Sequence, residues 1–434
     1  MAFLKILQWQ PNVPTILRGG RVVDPVLGLD EVTDVAFARG RITQVGSVGE
    51  DAQVIDVQNY VITPGLIDMH VHLRDPGQTE KEDISSGTLA AAVGGFSRIV
   101  AMPNTDPPVD SAEHLSRMLP YMRKNANVKI EPTVTLTMAA KGEAVSDLRG
   151  LRRKGASAAT DDGRCIQGSA VMFEVLQCAK DAGIAVLDHC EDVGISRHAS
   201  LNAGDVAQEK GVGGQSPAAE EVMVARDIVL ARTTGYPVHI QHVSTAGSVE
   251  LIRWAKQQGI RVSAEATPHH LSLTEEAIRR CGTYAKVNPP LRTEADRQEV
   301  IRGVRDGTIS VIATDHAPHT RADKDGTVEE AAFGIAGLES AIPVSLSCLY
   351  HEHGMPLIEL VAAFTQGPRE VLGLDAGTLA PGAPADITIL APDKEVRIDS
   401  SRFHSKASNS PFHGNTYKGA AAATVVDGMP VRSG

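Results

Sequence analysis

Two histidines stand two apart in Asp68-Met69-His70-Val71-His72, at the end of a short apolar run, Leu66–Met69. In an extended chain alternate side chains share a face, so His70 and His72 point the same way. Four other segments end on residues of the same kind. Asp161-Asp162 follow Ala156–Ala159, His189 follows Ile184–Leu187, His242 closes Val238–Gln241, and Asp315 follows Ser310–Ala313. Imidazole nitrogen and carboxylate oxygen suit zinc and similar divalent ions. Four histidines and a bridging carboxylate can hold two ions roughly 3.5–4 Å apart, a pair that activates a bridging water and polarises a carbonyl. One strand-end histidine is commonly a hydrogen-bonding residue, and Asp-Asp-Gly alone reads as a turn. Five segments that all end in ligand-type residues shift the reading to a metal centre.

Something must bring those five ends together. The middle of the chain alternates apolar strands with amphipathic stretches. The remaining candidate strands are Arg98–Ala101, Val128–Val134 and Arg261–Ala264, and the helical stretches include Ala170–Ala182, Ala218–Thr233, Ser248–Gln258 and Ala295–Arg305. Such alternation implies parallel βα units. Eight strands over about 250 residues fit a (β/α)8 TIM-like barrel, whose active sites form at the C-terminal strand ends. A doubly wound sheet is the alternative. Both chain ends read differently, as short strands punctuated by Gly19-Gly20, Arg39-Gly40 and Asp427-Gly428. The expectation is an α/β protein with residues 65–374 as the barrel, and residues 1–64 and 375–434 together as a small β-sandwich domain.

The 434 residues carry a formal net charge of -11, spread along the chain. That balance disfavours phosphate backbones, so nucleic acid is not expected as a partner. No apolar run approaches the roughly 20 residues needed to span a bilayer, and no membrane association is expected. Five scattered cysteines without CxxC spacing suit a reducing cytosol. Met1 to Trp9 is too weak for a signal peptide, so a cytoplasmic location is expected.

Other histidines are set aside. His239 precedes His242 by three on one strand and so faces away from it. His114, His198, His351, His353, His404 and His413 fall on helices or loops. His269 and His270 suit a supporting role, and His316 is placed to orient Asp315.

Several longer motifs are more specific. Gly65-Leu66-Ile67-Asp68-Met69-His70-Val71-His72-Leu73-Arg74-Asp75-Pro76-Gly77 resembles the signature of the dihydroorotase family. So do Ala101-Met102-Pro103-Asn104-Thr105, Asn288-Pro289-Pro290-Leu291-Arg292, Thr314-Asp315-His316-Ala317-Pro318-His319 and Phe333-Gly334-Ile335-Ala336-Gly337-Leu338-Glu339. They occur in family order across nearly the whole chain. The resemblance implies reversible cyclisation of N-carbamoyl-L-aspartate to L-dihydroorotate plus water, in pyrimidine synthesis. It implies two Zn2+ ions, one held by His70, His72 and Asp315, the other by His189 and His242, with Asp162 and a hydroxide bridging them. Many relatives bridge with a carboxylated lysine at the end of strand four. Lys154 lies at the wrong end of that strand. Asp162 instead resembles the bacterial branch that uses aspartate, with Asp161 as its rival. Arg164-Cys165 stands where smaller residues are usual.

On the same resemblance, the bridging hydroxide attacks the ring amide carbonyl, and Asp315 takes its proton and passes it to the departing nitrogen. Arg74 offers a guanidinium fork for the substrate's free carboxylate. His72, Asn104 and His319 face the substrate too, while Asn288 and the backbone of Phe333 and Gly334 hold the ureide edge. The charged stretch Arg321 to Glu330 reads as a lid or as a plain solvated loop. A homodimer is expected, with aspartate transcarbamoylase a further partner. Two alternatives stand: a hydantoinase- or allantoinase-type cyclic amidohydrolase, and a non-catalytic scaffold for aspartate transcarbamoylase. A scaffold should have lost ligands, whereas every ligand position here is filled.

Overall fold

A computed structural model describes residues 13–47 and 52–431. Met1 to Trp9, read above as too weak for a signal peptide, lies outside the described residues.

The middle of the chain forms a (β/α)8 barrel. Its eight strands are Leu66–Val71, Phe96–Ala101, Lys129–Val134, Ala158–Ala159, Ala185–Asp188, Val238–Ile240, Val262–Ala266 and Val311–Ile312. They lie side by side in chain order, every neighbouring pair parallel. A parallel bridge from Val71 to His316 closes the ring. There His72 N donates to His316 O at 2.9 Å and His316 N to His70 O at 3.3 Å. The His316 side chain turns outward, to Glu82 Oε2 at 3.2 Å and to the Gly337 N–H. It therefore joins strand eight to strand one through its main chain and does not orient Asp315 with its ring.

The strands are short and apolar because both faces are covered. Ile99, Val186 and Ile312 pack outward with the surrounding helices. Val100, Leu187, Val311 and Ala313 form a separate apolar cluster with Met69 and Met102. The helices Ser169–Ala182, Ala218–Thr234, Ala246–Gln257 and Glu294–Arg305 match the expected stretches to within two residues at each end. Local chemistry sets those ends. Thr245 and Thr293 cap by accepting backbone N–H groups, and Gly183 and Gly235 end their helices in the left-handed conformation.

Both chain ends contribute to one mixed eight-stranded sheet. Val61–Pro64 pairs parallel with Thr15–Asp24 on one side and antiparallel with Ile387–Arg397 on the other. Leu17, Val35, Phe37, Ile62, Ile387 and Val425 share a buried cluster there. Lys129 Nζ, on barrel strand three, ties the sheet to the barrel through Asp386 at 2.9 Å and Asp427 at 2.6 Å. Among the described residues no helix is long and apolar enough to cross a membrane.

Candidate metal centre

The Asp162 carboxylate lies at the centre of four imidazoles. Oδ1 is 3.3 Å from His70 Nε2, 3.7 Å from His242 Nε2 and 3.8 Å from His189 Nδ1, and Oδ2 is 3.4 Å from His72 Nε2. Asp315 Oδ1 adds a second anion, 3.1 Å from His72 Nε2 and 3.4 Å from His70 Nε2. All six side chains are buried. The barrel thus brings together the six residues read from five separate segments. Asp161 does not join them. Its carboxylate accepts from the Thr137 N–H at 3.1 Å and from the Thr137 hydroxyl. Adjacent residues on an extended segment face opposite ways.

The backbone is bent to aim these groups. His242, Asp315 and Arg74 all have positive φ, at 31°, 47° and 57°. Residues with a Cβ adopt that region at a cost of order 1–3 kcal/mol, and such strain concentrates at functional sites.

Each of three imidazoles is held from its far side. His70 Nδ1 donates to Glu265 Oε1 at 2.7 Å. His72 Nδ1 donates to Asn104 Oδ1 at 2.9 Å. His189 Nε2 donates to Glu191 Oε2 at 3.0 Å, and Asn288 Nδ2 donates to the same oxygen at 2.9 Å. With those protons committed outward, the other ring nitrogens of the neutral imidazoles present lone pairs inward, which is how carboxylate-backed imidazoles hold metals.

Charge balance follows the geometry. Burial alone would lower the His70 pKa, but Asp162 and Asp315 carry it well above the ordinary imidazole value. Burial also opposes His189, whose pKa is raised on balance by Glu191 and Asp162. Asp162 and Asp315 stay well below the usual carboxylate range despite burial, because the imidazoles face them.

The donor set fits a divalent cation. His70 Nε2 is buried within 3.4 Å of two carboxylates yet hydrogen-bonded to neither. His189 Nδ1 and His242 Nε2 face each other at 2.8 Å. His70, His72 and Asp162 form one group whose ligand atoms lie within 4.8 Å of one another, and Asp162, His189 and His242 form a second. Nitrogen and oxygen donors in two trios sharing a carboxylate could hold a pair of zinc-type ions.

Arg74 borders this centre. Its Nε donates to Pro318 O at 3.3 Å, and Nη2 lies 3.4 Å from His319 Nε2. Burial lowers its pKa against the pull of Asp315 and Asp162. Among the described residues no carboxylate reaches ion-pair distance, so no Asp75 pair forms, and a desolvated guanidinium is left for an incoming anion. His319 Nε2 donates to Phe333 O at 2.8 Å, while Nδ1 is buried without a hydrogen bond. Burial, reinforced by Arg74, pushes the His319 pKa down to about 3, so the ring is neutral.

Gly334 is held within the protein: its N–H donates to Lys286 O at 2.9 Å, and its carbonyl accepts from Lys324 Nζ at 2.9 Å and Asn409 Nδ2 at 3.0 Å. These bonds fix the shape of the loop. In the charged stretch before it, the buried Lys324 ammonium is fixed by the carbonyls of Lys286, Ala332 and Gly334. Arg164 points to solvent, and Cys165 is buried, its sulfur accepting from the Glu191 N–H at 3.5 Å. The bulk of this pair therefore stays out of the metal centre.

Sequence reasoning missed Glu265, Glu191 and the inward link of His239. Glu265 sits one residue past the expected end of strand seven, the same strand-end signal that marked the histidines. Glu191 is two residues after His189, a spacing already informative for His70 and His72. His239 does face away from His242, but its Nε2 lies 3.0 Å from Glu265 Oε2.

Residues 59–248 match the family model described as Dihydro-orotase-like, and residues 302–432 match the Amidohydrolase family. The chain is 44% identical over 418 residues to a dihydroorotase of Geotalea daltonii, covering 96% of this chain and 98% of that protein. It is 45% identical to a dihydroorotase of Pelotomaculum thermopropionicum, with the same coverage. Among solved structures it resembles an L-hydantoinase (dihydropyrimidinase) from Arthrobacter aurescens, with a TM-score of 0.86 and 26% identity, covering 97% of this chain and 96% of that one.

Proposed function

The chain belongs to the dihydroorotase family of amidohydrolases, and from that membership we propose that it interconverts N-carbamoyl-L-aspartate and L-dihydroorotate plus water, in the cytoplasmic synthesis of pyrimidines. The observation that carries the reading is the Arg74 guanidinium, which makes no ion pair among the described residues and lies beside the buried His/Asp centre. Dihydroorotate joins a hydrolysable ring amide to one free carboxylate, and the site offers a receptor for each.

His70, His72, Asp162, His189, His242 and Asp315 would hold the metal, which we take to be a zinc pair. Bound there, divalent ions supply an acidified water and a polarised carbonyl. The rest falls to the protein. Arg74 docks the carboxylate through a bidentate fork and so fixes which ring carbonyl faces Asp162 and Asp315. Asp315, held anionic by His70 and His72, accepts the proton of the attacking water. It then delivers that proton to the ring nitrogen as the C–N bond breaks. Asn104 and Asn288 keep His72 and Glu191 in place at the rim. In the reverse direction the side-chain carboxyl must lose its oxygen as water, so cyclisation gains as pH falls. A homodimer and an association with aspartate transcarbamoylase complete the proposal.

The test is hydrolysis of L-dihydroorotate by the zinc-loaded protein, followed by loss of ultraviolet absorbance, alongside hydantoin and allantoin. Turnover of dihydroorotate alone, abolished by Asp315→Ala, supports the reading. A metal-loaded protein that leaves dihydroorotate intact sinks it.

A further inference from the structure

Behind His70 a second chain of polar groups runs into the barrel wall. Glu265 lies between two imidazoles, with Oε1 2.7 Å from His70 Nδ1 and Oε2 3.0 Å from His239 Nε2. His239 Nδ1 continues the chain to Ser263 Oγ at 2.9 Å. Glu265 and His70 are fully buried and His239 nearly so. A carboxylate that deep is tolerated only opposite compensating donors, and among the described residues its ion-pair partners are these two rings.

The geometry fixes where the protons lie. A lone pair on His70 Nδ1 would face a carboxylate oxygen at 2.7 Å, which is repulsive, so Nδ1 carries the hydrogen. The Gln241 amide nitrogen, 3.2 Å from the same Nδ1, is then a neighbour and not its donor. In the neutral ring that metal binding requires, His70 Nε2 is the bare nitrogen, within reach of Asp162 and Asp315. By the same argument His239 donates from Nε2 to Glu265 and accepts the Ser263 hydroxyl hydrogen at Nδ1. Glu265 also accepts from the His242 N–H at 3.4 Å, which ties it to the backbone of another metal-holding residue.

We propose that Glu265 and His239 are positioning residues for the metal centre, and that the Ser263–His239–Glu265–His70 chain sets the tautomer, aim and donor strength of His70 from inside the barrel wall. The inference rests on the reading that His70 holds a divalent ion. Among the described residues the His239 side chain hydrogen-bonds to Glu265 and Ser263 and to no metal-holding group, so its effect on metal affinity passes through Glu265.

The experiment uses the full-length, metal-stripped protein. Zinc affinity is measured by competition with a chelating dye, and the ligand field by the visible spectrum of the Co2+ form. Glu265→Gln keeps shape but removes the charge that makes Nδ1–H a strong donor. It should weaken zinc binding by about 10- to 100-fold, the usual effect of losing a carboxylate behind a metal-bound imidazole. It should also shift the Co2+ bands, with metal-free thermal stability little changed. His239→Gln should weaken zinc binding in the same direction by a smaller factor, and the double variant should lose less than the product of the two. Wild-type zinc affinity within twofold and an unshifted Co2+ spectrum in Glu265→Gln and His239→Gln would overturn the proposal. If Glu265→Gln does not fold, His239→Gln decides alone by the same criteria. A wild-type protein that takes up neither zinc nor cobalt overturns the metal reading itself, an outcome distinct from metal-binding variants that match wild type.

Discussion

His189 Nδ1 and His242 Nε2 face each other at 2.8 Å, each ring carried on the end of a different barrel strand. Glu191 has claimed the outer proton of His189, so the contact is satisfied either by a proton shared between the two rings or by a metal ion standing against both nitrogens. Asp162 Oδ1, 3.8 and 3.7 Å away, completes a trio of donors in which a divalent cation can replace that proton.

Metal should accordingly stabilise the fold. A zinc excess of 100 times Kd contributes about 2.7 kcal/mol to the folded state. A rise in Tm on adding zinc, reversed by a chelator and lost in a His189→Ala/His242→Ala double variant that still folds, is expected in a thermal scan. An unchanged Tm at saturating zinc would count against a metal centre here.

Zinc uptake should release protons. His70 and His189 hold their protons to higher pH than a free imidazole, and a protonated imidazole binds no metal. Zinc affinity therefore rises with pH until both rings are neutral. The metal-free fold behaves oppositely. The attraction of these two imidazolium groups for Asp162 and Asp315 is fully present below the unfolded imidazole pKa and fades as pH climbs through the raised folded values. The Tm gap between zinc-loaded and metal-free protein should therefore widen from about pH 6 to about pH 8. A constant gap, or zinc binding without proton release in calorimetry across buffers, would contradict this.

Arg74 should act on substrate binding and leave the metal alone. A hydrogen bond to a charged group contributes roughly 1.5–3 kcal/mol. Arg74→Gln should therefore lower kcat/KM by about 10- to 150-fold, chiefly through KM, with zinc content unchanged. Arg74→Lys should recover little, because a single ammonium cannot reproduce the fork. Equal activity of the lysine variant would show that charge alone suffices.

Much of this was legible because two periodicities carry it. Alternation along strand one placed His70 and His72 on one face, and recurring apolar runs gave eight strands, five of whose ends bear the ligands. Spacing could not choose between Asp161 and Asp162. That choice needed the turn after Ala159, which commits Asp161 to Thr137. The supporting carboxylates carried a local signal, a strand end for Glu265 and the two-residue step from His189 for Glu191, but not their distant partners. Glu265 meets His70 across 195 residues and Glu191 meets Asn288 across 97. The internal bonds of Gly334 were hidden for a related reason: its hydrogen-bonding groups meet Lys286, Lys324 and Asn409, which spacing does not show.

Gly334 yields the last prediction. Its φ is +127°, a region that side chains avoid, and an added Cβ would lie 2.5 Å from Ala317 Cβ and 2.8 Å from Ala317 O. Backbone strain of this kind costs about 1–3 kcal/mol, and the overlap adds to it. Ala317 lies between Asp315 and His319, so relief of the clash must move the segment that carries both. Gly334→Ala should therefore lower Tm and depress kcat together. Ala317→Gly in the same chain should restore part of both, since it removes the nearest atom of the clash. A double variant no better than Gly334→Ala would place the whole effect in the backbone angle and none in the contact.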